Sequence, residues 1–176
     1  MSLFGTSRDV SLVRHLNREL INNVIEQQVG YYKIVLDRTT SNMYGESNGN
    51  KVYNDPVLIN CLLERTPPTY EINDFGSDYQ QDLTARFLRD DLAGVELPYD
   101  QNTGNNFGIY PEIGDVMLWQ ENYYEIDTVV ENQLFVGKDP SYSYSSNNTD
   151  FGSSISIIVK GYYVRPEKLG ISQQRL

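Results

Sequence analysis

At 176 residues the chain has room for one domain, or one domain with arms; two full cores would be cramped. Fourteen Lys and Arg against 24 Asp and Glu leave a net charge of −10, which excludes holding a phosphate backbone by bulk attraction. A single cysteine, Cys61, excludes an internal disulfide and a cysteine-rich zinc site, and a single histidine, His15, excludes an HExxH pair. No apolar run reaches the ~18 residues of a membrane helix. No apolar core of a signal peptide follows Met1-Ser2-Leu3-Phe4-Gly5.

In chain order, an arm over 1–7 precedes the one convincing helix, expected over 8–29. Val13, Leu16, Leu20 and Val24 recur at spacings of three and four, and Ile21 and Ile25 widen the stripe, so one face is apolar. Ser7 is the candidate N-cap, Asp9 suits the positive end of the helix dipole, and Gly30 is the candidate stop. The opposite face, with Arg14, Asn17, Arg18 and Asn22, reads as ordinary solvated surface.

After Gly30 the texture turns to β. Strands are expected over 31–36, 56–64, 69–72, 83–89, 116–119, 123–130, 133–136 and 155–164. Pro67-Pro68 breaks the second from the third, and Leu83, Ala85 and Phe87 share one face of the fourth. About eight short strands after one helix predict a mainly β chain. Its fold class is a small β-barrel or sandwich with one N-terminal amphipathic helix, long loops and a C-terminal arm. One domain is expected, with the barrel over 31–164 and the arm over 165–176. Three polar stretches, 37–52, 97–112 and 137–153, are long enough to be functional loops.

Residues for catalysis are scarce. His15 lies beside Arg14 on a polar flank of the helix and reads as a surface histidine. Cys61, between Ile59 and Leu62-Leu63, reads as a small buried hydrophobe rather than a nucleophile. Asp90-Asp91 reads as a solvated turn rather than a cation site. No glycine pattern makes a phosphate cradle, so no catalytic residue, metal or cofactor is assigned.

Tyrosine is the distinctive residue. Tyr31-Tyr32, Tyr123-Tyr124 and Tyr162-Tyr163 are adjacent pairs, and a strand sends one ring of each pair to either face. The inner ring can fill a core, while the outer one suits an interface.

Two segments resemble the small neck protein of contractile-tailed bacteriophages of the T-even type, the head-completion or head-closure component. The first runs along the helix into Tyr31-Tyr32 and on to Tyr44-Gly45-Glu46. A Pro-Arg pair that the family places after the tyrosines is replaced here by Ile34-Val35, with Arg38 displaced. The second is Pro111-Glu112-Ile113-Gly114-Asp115 leading through Val116–Trp119 to Tyr124-Glu125-Ile126, with a hairpin about two residues shorter than in the family. Together they cover roughly 10–46 and 110–136.

What the resemblance implies is a structural protein of the virion, made in the host cytoplasm and placed at the head–tail junction. It would form a ring of six copies between a portal-proximal adaptor protein and the tail terminator protein. Genomic DNA would pass through the lumen without specific binding, and an acidic wall would let it slide. Interface candidates are Tyr31, Tyr32, Tyr44, Gly45, Glu46, Tyr142 and Tyr144, and Gly114 with Asp115 form a structural turn. Two other readings are a carbohydrate- or ligand-binding β module, suited to Asn- and Tyr-rich loops, and a small hydrolase working through carboxylates.

Overall fold

The computed structural model describes residues 7–36, 39, 51–73, 76–94, 108–131 and 156–171. The chain starts with α1 (Ser7–Glu19), which continues as a π turn (Leu20–Ile25). Eight strands follow: β1 (Gln28–Tyr32), β2 (Val57–Arg65), β3 (Thr69–Asn73), β4 (Gly76–Gln80), β5 (Asp82–Leu88), β6 (Val116–Trp119), β7 (Asn122–Val130) and β8 (Ser156–Val164). Two short helices, α2 (Arg89–Ala93) and α3 (Pro166–Leu169), complete the described elements.

Six strands close into an antiparallel barrel in the order β1-β2-β5-β8-β7-β6. A barrel this small leaves only enough interior for side chains, and alternate residues supply them. Leu83, Ala85 and Phe87 all point inward and are fully buried, as their spacing predicts. They meet Tyr31, Cys61, Tyr124, Ile126 and Val159, while Leu92 of α2 and Ile109 pack against the same core. Burying each large apolar side chain contributes roughly 1.5–3 kcal/mol. Burial also pushes the Cys61 thiol up to about 12, which keeps it protonated and inert.

A second apolar cluster covers the outside of part of the barrel. Tyr32, Val116, Leu118, Tyr123 and Val164 point outward and are sealed by Leu169 of α3. The run Val116–Leu118 is apolar throughout because both faces of β6 are covered. The first two tyrosine pairs therefore split between two cores: Tyr31 and Tyr124 inside, Tyr32 and Tyr123 outside. The stretch from Arg165, expected to be an arm, instead turns at Pro166 into α3 and seats Leu169. Pro suits a first helical turn, where its missing N–H costs nothing.

β3 and β4 pair only with each other, forming a ribbon outside the barrel. Pro67-Pro68 ends the ladder of β2 because proline donates no hydrogen bond. Tyr79 anchors the ribbon by edge-on contacts to Tyr70 at 5.4 Å and Tyr163 at 5.0 Å between centroids. Tyr163 meets Tyr124 of the core at 6.3 Å. The buried Gln81 amide lies 2.8 Å from the Tyr79 hydroxyl and 3.1 Å from that of Tyr124.

Three local expectations are corrected. The helix stops at Glu26, left-handed with φ 51°, whose N–H reaches back to the Ile21 carbonyl at 3.0 Å. Gly30 is not its stop; it sits inside β1 opposite Leu58 and Leu118. The first strand accordingly begins at Gln28 and ends at Tyr32, before Ile34 bridges to Tyr53. Asp90-Asp91 lies in α2 rather than a free turn, and Asp91 is a docking point. The strand expected over 133–136 lies outside the described residues.

The N-terminal helix is turned the other way from its pattern. Amphipathic helices usually set the apolar stripe on the core. Here Arg18 pairs with Asp91 at 3.0 Å, and Asn22 bonds both Asp91 and Asn60 at 3.0 Å. The flank expected to be solvated thus holds the helix to the body. Ile21 is buried, while Leu12, Leu16, Leu20 and Val24 face outward.

Gly161 marks the tightest strand contact. Beside the bulge between Ile126 and Thr128, a Cβ at this position would lie 2.8 Å from the Glu125 carbonyl oxygen. The obstacle is backbone, which cannot rotate away. Gly161→Ala should therefore cost about 2 kcal/mol, in the range of overpacked cores. Urea denaturation checks this, and an unchanged midpoint would show that the bulge yields.

Candidate functional site

The structure brings together Tyr31, Gly114 and Asp115, three residues singled out in the sequence. Asp115 follows Gly114, whose φ of 97° only glycine adopts without strain. The turn swings the Asp115 carboxylate into the protein, where it is fully buried. A buried carboxylate is stable only when its oxygens are paired. The Tyr31 hydroxyl donates to Oδ2 at 2.5 Å, the Glu112 N–H at 2.9 Å and the Lys33 ammonium at 3.1 Å. The Ile34 N–H donates to Oδ1 at 2.9 Å.

Lys33 links the site to the next segment. Its ammonium also donates to the Tyr110 carbonyl at 2.8 Å and to Glu112 at 2.7 Å. One lysine thus offsets two carboxylates. Burial, and next the Asp115 charge, push the Tyr31 phenol far above its ordinary range, so it remains a donor. The arrangement is a clamp between the end of β1 and the 109–115 segment.

Lys33 was not singled out from the sequence. Its signal was faint: a lone cation directly after two tyrosines.

Tyr32, the other described interface candidate, lies in the outer cluster with its ring 6.1 Å from that of Tyr123. Burial pushes its phenol up to about 12. Tyr31 and Tyr32 are thus both packed within the chain itself. Tyr162, of the third pair, is 43% exposed. Tyr44, Gly45, Glu46, Tyr142 and Tyr144 lie outside the described residues.

A shallow groove of about 270 Å³ runs beside Tyr32, Lys51, Tyr53, Asp55 and Gly170. Lys51 is tied to Glu125 at 2.5 Å, and burial, with Glu125 next, pushes the Tyr53 phenol up. Tyr32 shows only 2% of its surface, so it offers no open ring for stacking on a ligand. Among the described residues Asp55 is the one carboxylate of the lining. Among the described residues no cluster of three or more His, Cys, Asp or Glu is placed to hold a metal ion. Compared with known proteins, the sequence matches no family model and no curated protein.

Asp115→Asn would turn an amide toward three donors that now meet a carboxylate oxygen. A loss of about 3 kcal/mol is expected, as when a buried charge pair is broken. Tyr31→Phe should cost about 2 kcal/mol, typical of a hydrogen bond to a charged group. In the double variant the losses should fall short of additive. Denaturant titration of all four proteins measures this, and strict additivity would contradict the clamp.

Proposed function

We propose that this chain is a structural protein of the bacteriophage neck, a head–tail connector. It assembles as a ring that closes the DNA-filled head, docks the tail and lets DNA pass. The observation that carries this reading is a small closed barrel bearing an amphipathic helix whose apolar face its own described residues leave uncovered. Such a surface belongs to a part that is completed by neighbours. The Gly114-Asp115 turn supports the same reading, since the segment resembling the neck family is the one that clamps β1 to β6.

The chemistry suits a conduit. A wall with net negative charge repels the phosphate backbone, releases no counterions on contact and so gives DNA nothing to adhere to. Ring formation from copies of one chain, contact with an adaptor ring above and a tail terminator below, and six-fold closure all follow from the resemblance as expectations. Catalysis has no part in this role.

Negative-stain microscopy of purified virions, labelled with gold-tagged antibody to this chain, tests the reading. Label should collect at the junction of head and tail. Label on the capsid, the fibres or the tail tip would remove it, as would unlabelled tailed particles.

A further inference from the structure

The stretch leading into β2 carries a strand edge that the barrel does not use. Ile34 bridges to Tyr53, with the Val35 N–H donating to the Val52 carbonyl at 2.8 Å and the Asn54 N–H to the Lys33 carbonyl at 2.9 Å. Ile34 and Tyr53 thus form the kind of antiparallel pair that exchanges no hydrogen bonds of its own. The N–H and C=O of Tyr53 therefore point to the opposite edge, where neither has a partner among the described residues. β5 pairs with β2 only from Cys61 onward and turns into α2 at Arg89, so it leaves this edge open. Such an edge is a template for another strand.

Tyr53 has a third unmet group. Its ring packs on the outer cluster with Tyr32 and lines the groove, and its hydroxyl is buried without a hydrogen-bond partner. Native proteins rarely leave a buried polar atom so. Burial, with the charges of Glu125 and Asp115, keeps the phenol protonated, so it acts as a donor.

Charge restricts what fits. Lys51 is neutralised by Glu125, whereas Asp55 is exposed and makes no hydrogen bond or ion pair among the described residues. The rim thus has a negative excess, which repels carboxylates and favours neutral or cationic groups. What matches Tyr53 is a carbonyl for its N–H, an N–H for its carbonyl and an acceptor for its phenol. One residue of an extended peptide supplies the first two, and an Asn or Gln side chain supplies the third.

We propose that the Tyr53 edge and its groove bind an extended, carboxylate-free peptide segment of a partner protein, added as an antiparallel strand. One peptide residue exchanges both backbone hydrogen bonds with Tyr53, and its side-chain amide enters the groove and accepts from the phenol. A Lys or Arg of the peptide lies near Asp55. At about 270 Å³ the groove has room for a side chain rather than a drug-sized ligand. This contact goes beyond the neck reading and does not depend on it.

The blocked peptide acetyl-Thr-Val-Gln-Val-Lys-amide, titrated into the full-length chain and followed by amide NMR, tests this. The Tyr53 amide should shift and its hydrogen exchange should slow about tenfold or more at saturation. N-methylation of the central glutamine removes the N–H that meets the Tyr53 carbonyl, and should weaken binding about tenfold. Glu in place of the peptide's Lys should weaken it several-fold, and by less in added salt. Tyr53→Phe should bind the peptide several-fold more weakly yet keep its urea midpoint, because the lost hydroxyl makes no bond within the chain. No shift at millimolar peptide, or a Tyr53 amide already protected without it, would overturn the proposal. So would equal binding of the N-methylated peptide, equal or tighter binding of the Glu peptide, equal binding by Tyr53→Phe, or a lowered midpoint for that variant.

Discussion

A fully buried carboxylate is the constraint around which this fold is arranged. Asp115 can stay charged inside the protein only with donors on both oxygens, and the donors come from two distant stretches of chain. Meeting that demand ends β1 after Tyr32, pulls Lys33 over the 109–115 segment and fixes the start of β6. The same clamp lays Tyr110 and Ile113 beside β7.

The N-terminal helix shows how polar pairing can outrank hydrophobic pattern. Arg18 and Asn22 find Asp91 and Asn60, which would otherwise be partly desolvated without partners. Ile21 adds a single buried contact. The leucine stripe is left facing outward, an arrangement that costs free energy in an isolated chain and gains it in an assembly. The fold and the proposed role are linked at this point. Such a face suits a chain that packs against neighbours, as the proposed role requires.

Much of the barrel was legible beforehand. Alternation placed Leu83, Ala85 and Phe87 on one face, and Val116–Trp119 matched its strand to the residue. The helix stripe was legible as a stripe, but periodicity says which residues share a face and not which way that face turns. Partner choice was illegible for β3, whose pairing with β4 depends on Pro67-Pro68 ending the barrel ladder. The helix α3 is four residues long, too short to carry a period, and its role depends on Leu169 meeting a tyrosine cluster from distant strands. Of the site, Gly114 and Asp115 were recognisable as a turn. That Asp115 also gathers Tyr31 and Lys33 is a matter of tertiary geometry.

The central claim is that the apolar face of α1 is completed by neighbours in the assembled ring. Hydrogen exchange of the α1 amides, followed from dilute to concentrated protein, tests it most directly. The account predicts fast exchange over Leu12–Leu20 in the dilute monomer and protection that grows in step with the oligomer. Full protection of α1 in the monomer, unchanged by concentration, would contradict it.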